Sequence, residues 1–366
     1  METSVGRVAV VGTGAIGSII GAYLRRAGLN PYLADPWYQH IEAMKASGLR
    51  ITTPNEQFDV AVRGLHFDEF EALQEHFDVV FLAVKSYDTN WVIRLVEHQL
   101  NPTGVVISAQ NGINEETIAK VVGRQRTVGC VVHMGGAILG PGEVRRATDP
   151  RWATFTFGEL NLQCTPRISE MSKLMGLVGD TRISENIWGA LWAKLVVNCM
   201  LNATSAISGL SAAELWASEE TLSVMIHLAG EVVSVSRAAG VAMDNLHLAG
   251  GKEDLEPGRV EAAHRGDQES WNYVVEALTS VAQARAGARS DNNPSMLQDM
   301  LKRRRTEVDH LNGYVARLGR EYGVATPHNA VLPSLVKAVE SGALPMQPSN
   351  IHRVREAGTG LKVTAP

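Results

Sequence analysis

Three polar side chains stand four residues apart on an otherwise apolar stretch: Lys194, Asn198 and Asn202 in IWGALWAKLVVNCMLNATSAISGL. In a helix that spacing lines them up on one stripe. A stripe facing water is usually wider and carries more charge. One lysine with two amides suits the wall of a partly buried cavity. There the ammonium can give a proton to a carbonyl oxygen as hydride arrives at carbon, and burial can tune its acidity. The amides can hold polar groups of a substrate without adding charge. The competing reading of the same pattern is an amphipathic helix with a narrow wet edge. A second cluster follows in NPSMLQDMLKRRRTEVDHLNGYV, where Ser295 is a candidate N-cap and Glu307 and Asp309 fall within one helix predicted from Ser295 to Tyr322. By local pattern alone, these acids read as surface residues beside arginines.

Hydride chemistry needs a carrier, and the start of the chain supplies a place for one. RVAVVGTGAIGSIIGAYLRRAGLNPYLAD reads as a strand, a glycine-rich turn, a helix to about Arg26 and a second strand ending in an acid. Gly12 serves the tight turn, Gly14 lets backbone approach phosphates, and Gly17 lets helix and strand pack closely. The helix N-terminus offers amide N–H groups and a positive dipole end to a pyrophosphate. The spacing alone would fit any strand-to-helix turn, but its position after an apolar strand and before a helix argues for a dinucleotide. Asp35 stands 18 positions after Gly17, where a carboxylate accepts hydrogen bonds from ribose hydroxyls and repels a 2′-phosphate, and no arginine follows within ten positions. NAD is therefore expected over NADP. The alternative for Asp35 is a solvated turn residue before Pro36.

Two shorter signals lie where strands end: Lys85 after VVFLAV, and Asn111 with Gly112 after VVISAQ. In a parallel sheet both would sit at the carboxyl edge, where the ligand crevice opens, although ordinary turn chemistry explains them equally well.

Strand and helix signals alternate to about residue 180, with strands at Val79–Val84, Val105–Ala109, Thr127–Val132 and Ala153–Phe157. Helical periodicity then dominates through Ile187–Ser205, Ala212–Ala239, Gln268–Ala284, Ser295–Tyr322 and Asn329–Glu340, with loops expected at Asp244–Asp267 and Ala286–Pro294. The expected organisation is a Rossmann-like doubly wound α/β domain over 1–181, an all-helical substrate and dimerisation domain over 182–343, and a tail over 344–366. That order predicts substrate binding between the two domains.

The 366 residues, 45% hydrophobic and 20% charged with net charge −5, describe an ordinary globular protein and favour neither nucleic acid nor an anionic membrane as partner. The basic run Lys302–Arg305 reads as a solvated helix face. Cys130, Cys164 and Cys199 are scattered without a C-x-x-C pair, which fits reduced thiols of a cytoplasmic protein and implies no metal. No stretch reads as a secretion signal or as the ~18 apolar residues of a membrane span.

Taken in order, VGTGAIGS, AVKSYDT, AQNG, the K-x-x-x-N-x-x-x-N helix and SMLQDM with RRTEVDHLNG resemble the ketopantoate reductase (2-dehydropantoate 2-reductase) family, from Arg7 to about Pro327. The resemblance implies a helical second domain of the 6-phosphogluconate dehydrogenase C-terminal type. It also implies cofactor contacts for the loop of Gly12, Thr13, Gly14, Ala15, Ile16 and Gly17 and for Lys85 and Asn111, with Asn111 touching substrate as well. Lys194 becomes the general acid, Asn198, Asn202 and Ser295 hold a 2-oxo acid and its hydroxyl, and Glu307 is the site acid near the nicotinamide. The chain departs from the family in three places. Asp35 stands where most members, which prefer NADPH, carry a basic residue. The stretch 244–293 is longer than the family norm. GLSAAEL around Ala212 lacks an asparagine that members of pantoate synthesis use. The expected activity is an NAD(P)-dependent interconversion of a 2-oxo acid or related ketone with its hydroxy product. The rivals are an NAD-dependent secondary-alcohol or β-hydroxyacid dehydrogenase and a non-catalytic NAD-binding regulator. Family members are monomers or dimers, and a homodimer through the helical half is expected.

Overall fold

The computed structural model describes residues 5–149, 153–248, 254–285 and 293–358, and the chain forms two compact units, Met1–Ile187 and Trp188–Pro366. Among the described residues the first unit carries β1 (Val8–Val11), β2 (Tyr32–Ala34), β3 (Leu49–Thr52), β4 (Gln57–Val60), β5 (Arg63–Leu65), β6 (Phe77–Leu82), β7 (Leu100–Ser108), β8 (Thr127–Val132), β9 (Gly136–Gly140), β10 (Glu143–Arg146), β11 (Ala153–Glu159) and β12 (Asp180–Ile183).

The main sheet runs β12-β11-β8-β7-β6-β1-β2-β5. From β5 to β8 every pair is parallel; β11 is antiparallel to β8, and β12 runs parallel to β11. All four residues of β1 are buried, as a central parallel strand requires. Successive side chains point to opposite faces and join different cores. Val8 and Val10 pack with Ile19, Ile20 and Leu33, while Ala9 and Val11 pack with Phe70, Val92 and Ile93. The sheet is thus covered on both faces. The chain leaves β1 toward β2 on one side and returns to β6 on the other, so the carboxyl ends of β1, β2, β6 and β7 share the edge where the strand order reverses.

A second sheet, β4-β3-β10-β9, is absent from the sequence expectations. Its strands are four or five residues long and rich in Arg, Glu and Gln, and in β3 only Leu49 and Ile51 face inward. Arg146 at its edge is fully buried, giving hydrogen bonds to the carbonyls of Thr148 (2.9 Å) and Val178 (2.6 Å) with its guanidinium over the Tyr23 ring.

The second unit is helical. The stretch expected as one helix from Ala212 to Ala239 is two, Ala212–Ala217 and Glu219–Ala238, broken at Ser218, whose backbone is extended. Ser211 and Glu214 form a capping box on the first. The stretch from Ser295 to Tyr322 is also broken. Helix Ser295–Leu301 ends before Arg303, which takes φ +52°, a short 3-10 turn spans Val308–His310, and helix Asn312–Tyr322 follows. The exposed run Lys302–Arg305 is therefore a turn and not a helix face.

In the expected loop Asp244–Asp267, Leu246 and Leu255 pair as an antiparallel bridge and Pro257–His264 is a helix with Pro257 in its first turn; 249–253 lie outside the described residues. Of the expected loop Ala286–Pro294, 286–292 also lie outside them. The tail expected from 344 contains a helix, Asn350–Gly358, whose Asn350, Ile351 and Val354 are buried; 359–366 are outside the described residues.

A chain of buried polar groups runs through this unit. Glu231, on helix Glu219–Ala238, accepts hydrogen bonds from the backbone N–H groups of His328 and Asn329, each 2.9 Å, and so caps helix Pro327–Glu340 from across the core. Its oxygens also meet His328 Nδ1 at 2.7 Å and Asn329 Nδ2 at 2.8 Å. Asn312 Nδ2 donates to Asn329 Oδ1 at 2.9 Å and to the carbonyl of Cys199 at 3.1 Å. Beside Glu231, His227 stacks on His328 with ring centroids 4.9 Å apart and meets His264 at 3.0 Å. Burial first, then His328 and His264, push His227 down to about 4.

Helix Ile187–Ser208 is long and apolar enough to cross a membrane, but 83% of its apolar window is buried within the protein. It is a core helix of this fold.

Candidate active site

The glycine-rich turn divides its work among three residues as the spacing predicts. Gly12 takes φ +94°, and a Cβ there would run into the backbone of Ala83 and Val84 after β6. A Cβ on Gly17 would collide with the carbonyl of Gly12, so any larger residue would push helix Ala15–Arg26 off the strand. Gly14 differs from both, because a Cβ there would meet nothing within 4 Å. The space over Gly14 is what an approaching phosphate needs. Three further observations fit a dinucleotide: the Thr13 hydroxyl is buried with no hydrogen-bond partner among the described residues, helix Ala15–Arg26 has no acid in its first turn, and Ala15 and Ile16 are half-buried at its N-terminal end.

Asp35 closes this turn. Thr13 N–H donates to Asp35 Oδ2 at 2.6 Å and Trp37 N–H to Oδ1 at 2.8 Å, while Asp35 N–H donates to Leu65 O at 3.1 Å. Asp35 is thus a fixed, half-buried acceptor at the end of β2 rather than a loosely solvated turn residue. Both carboxylate oxygens retain lone pairs for further donors. A hollow of about 370 Å³ lined by Pro36, Tyr38, His66, Phe67 and Asp68 adjoins it. In this hollow Tyr38, 63% exposed, stacks on His66 with ring centroids 4.8 Å apart. The first lysine or arginine after Asp35, Lys45, is held by Glu69 at 2.8 Å and Glu42 at 3.2 Å, and Glu42 also meets His66 at 3.0 Å.

Lys85 and Asn111 follow β6 and β7 on the same edge, and a buried polar network joins their segments. Ser86 Oγ donates to Asn111 O at 2.9 Å, and Asn114 Nδ2 donates to Asn111 O at 2.8 Å and Ser86 Oγ at 3.3 Å. Thr89 Oγ1 donates to Asn114 Oδ1 at 3.2 Å and accepts from Gln110 Nε2 at 2.7 Å, and Gln110 also donates to Val84 O at 2.9 Å. Beneath it the buried carboxyl of Glu115 accepts from Asn114 N–H at 2.9 Å. Burial pushes Glu115 up to about 7, against the hydrogen bonds from its own and Asn114's N–H and from Ser108, and Glu116 adds to the rise. Sequence reading picked out Lys85 and Asn111 but missed Ser86, Thr89, Gln110, Asn114 and Glu115. The available signal was a polar run, SYDT and QNGINE, after each of two apolar strands.

In the helical unit, Lys194, Asn198 and Asn202 do share one stripe of helix Ile187–Ser208, with Lys194 half-buried and both asparagines at 6% exposure or less. The two amides therefore do not form a wet edge. Glu307 is 4% exposed and, contrary to the expected mid-helix position, precedes the 3-10 turn, its carbonyl accepting from His310 N–H at 2.9 Å. The helix after that turn meets the lysine helix through Asn312 to Cys199 O, next to Asn198, and through Tyr314 against Trp192 at 6.1 Å. The fold thus brings the Glu307 segment beside the lysine helix. Ser295 is half-buried and is the first residue of its helix, with Pro294 and not Ser295 at the cap position. Among the described residues, no group of three or more His, Cys, Asp or Glu side chains is set to hold a metal ion.

Comparison with known proteins agrees with this arrangement. The family model for ketopantoate reductase PanE/ApbA matches residues 8–161, and that for its C-terminal part matches 186–340. The 2-dehydropantoate 2-reductase of Archaeoglobus fulgidus is 29% identical over 343 residues, covering 92% of this chain and 98% of the relative, and that of Lactococcus lactis is 25% identical over 337 residues, covering 91% and 98%. Among solved structures, a PanE/ApbA family ketopantoate reductase from Ralstonia eutropha has a TM-score of 0.72 at 28% identity, covering 92% of this chain and 99% of its own. D-mandelate dehydrogenase, solved with NADH and anilino(oxo)acetate, has a TM-score of 0.74 at 22% identity with the same coverage. With most of each half matched, the chain belongs to the ketopantoate reductase PanE/ApbA family and is an oxidoreductase acting on CH–OH groups.

Proposed function

We propose that this protein reduces a 2-oxo acid to its hydroxy acid with NADH, Lys194 giving the proton to the carbonyl oxygen. The observation that carries the coenzyme reading is Asp35, tied by Thr13 N–H at 2.6 Å to the turn that would hold the pyrophosphate. A carboxylate so fixed accepts from the 2′- and 3′-hydroxyls of an unphosphorylated ribose, and a 2′-phosphate would meet its charge. The hollow of Tyr38, His66 and Phe67 offers the neighbouring adenine an aromatic face, and Lys45, already held by two glutamates, supplies no spare cation for a phosphate. The NADH complex of D-mandelate dehydrogenase, a protein of the same fold, supports this choice, while the curated 2-dehydropantoate 2-reductases support a 2-oxo acid as substrate.

When bound, the nicotinamide supplies the hydride. Lys194 then neutralises the alkoxide as it forms, Asn198, Asn202 and Ser295 orient the acid and hydroxyl groups, and Glu307 keeps the lysine protonated and in place. Asn111 and Lys85 hold the coenzyme at the sheet edge. The reading is tested by following absorbance at 340 nm with each reduced coenzyme against a panel of 2-oxo acids that includes ketopantoate and aryl 2-oxo acids. The expected result is turnover with NADH at a kcat/KM at least about tenfold above NADPH, narrowing in Asp35→Asn. A preference for NADPH would overturn the Asp35 reading, and turnover of simple secondary alcohols but of no 2-oxo acid would overturn the substrate class. A ketopantoate reductase from Staphylococcus aureus with the same fold is described as dimeric, and this protein is proposed to pair likewise; light scattering should give twice the 39.6 kDa of one chain.

A further inference from the structure

The network under Asn111 contains one group that the proposed reaction does not use. Glu115 is 1% exposed, has no ion-pairing cation among the described residues, and spends one oxygen on the backbone N–H of Asn114. The side chain of that same Asn114 makes three hydrogen bonds. It accepts from Thr89 Oγ1 and gives both amide hydrogens to the opposite edge, to Asn111 O and to Ser86 Oγ, the residue after Lys85. A shift of the Asn114 backbone therefore moves the Lys85 and Asn111 segments together.

We propose that Glu115 is a positioning residue for the Lys85–Asn111 edge, acting through Asn114, and that coenzyme affinity follows the protonation state of Glu115. The inference rests on the reading in which that edge binds the coenzyme. β7 presents Ser108, β8 presents the buried Cys130 thiol, helix Thr89–His98 presents Thr89 to Asn114, and Glu116 is the charged neighbour on its own helix. The 3-10 turn Arg124–Arg126 packs on the same helix, where Arg124 pairs with Glu116 at 2.5 Å and Arg126 donates to the carbonyls of Val122 and Asn101, and the groups acting on Glu115 include no cation. Burial lifts the carboxyl to about 7, so it changes charge within the ordinary working range. Ionised, it is a strong acceptor for Asn114 N–H and Ser108; protonated, it is a weaker one and carries a hydrogen that must find its own acceptor.

The experiment is NADH binding, followed by protein-to-nicotinamide fluorescence at pH 6, 7 and 8 on the full chain, with NADPH in parallel. In the wild type, the dissociation constant is expected to rise about threefold to tenfold from pH 8 to pH 6, the loss expected when a charged acceptor becomes neutral. Glu115→Gln should bind with an affinity independent of pH over that range. Asn114→Ala, which keeps the backbone donor but removes the three side-chain bonds, should bind more weakly at every pH and also lose the slope. A flat wild-type profile overturns the inference, as does a slope that survives in Glu115→Gln or in Asn114→Ala. The wild type and Asn114→Ala decide the matter even where Glu115→Gln does not fold. Absence of binding by either coenzyme at all three pH values is a different result: it removes the coenzyme reading itself, and this inference with it.

Discussion

The glycine turn at 12–17 and the lysine helix at 187–208 are built on opposite plans. In the turn the proposed binding surface is backbone, and the sequence contributes by leaving side chains out: of its three glycines, Gly12 and Gly17 make room for the protein itself and Gly14 leaves open space. In the helix the surface is side chain, three polar groups set into an apolar rod whose other residues are nearly all buried. A site made of backbone is held by local geometry and tolerates no bulk. A site made of side chains is held by what packs behind its helix and can lose its chemistry while keeping its shape.

That contrast can be broken by experiment. Lys194→Ala should keep the fold and the NADH dissociation constant but lower kcat by about 10² to 10⁴-fold, the usual worth of general acid catalysis; a kcat within a factor of a few of wild type would remove Lys194 from the chemistry. Gly14→Ala should leave the far-ultraviolet spectrum and the unfolding midpoint unchanged and weaken NADH binding by at least about tenfold, whereas Gly12→Ala, strained at φ +94° and blocked by β6, should lower stability as well. Equal behaviour of the two glycine variants would contradict the division of labour. Asn312→Ala leaves buried acceptors at Cys199 and Asn329 without their donor and should cost about 1–3 kcal/mol in urea unfolding.

The smallest effect sharpens the comparison through pH. Burial holds His227 near 4, below its unfolded value of 6.5, so the unfolded chain binds more protons between the two and stability falls as pH drops through that window. Glu115 has the opposite sign: its folded value near 7 lies above the unfolded 4.5, and stability falls as pH rises through that window. Urea midpoints should therefore show an acid-side slope that His227→Phe reduces and a neutral-side slope that Glu115→Gln reduces. Exchange of the two assignments would show that the burial argument names the wrong groups.

What is legible in the sequence follows the same divide. The reading matches at β8 over Thr127–Val132, at the central apolar strands and at the Lys194–Asn198–Asn202 stripe, where one short periodic pattern carries the information. The small sheet is illegible because one to three apolar residues per strand give no measurable period, and because β3 finds its parallel partner β10 some ninety residues away. The break after Leu301 is hidden because KRRR has good helix propensity, and the turn that places Glu307 is set by Arg303 in a left-handed backbone and by Thr306 N–H donating to Glu340, 34 residues on. Asn114 and Glu115 sit at the head of helix Glu115–Val122, yet their partners Ser86, Thr89 and Gln110 come from other segments, so no local window contains the network.

Glu231 ties together segments far apart in the chain. One carboxylate caps a helix 97 residues further along the chain, and through Asn329 and Asn312 it reaches the backbone beneath the lysine stripe. Three positions so interlocked form a single unit of inheritance: a change at one strands the other two in a dry interior. Descendants of this chain are expected to keep Glu231, Asn312 and Asn329 as a set or to exchange them as a set, while the residues that choose the substrate are left to drift around them.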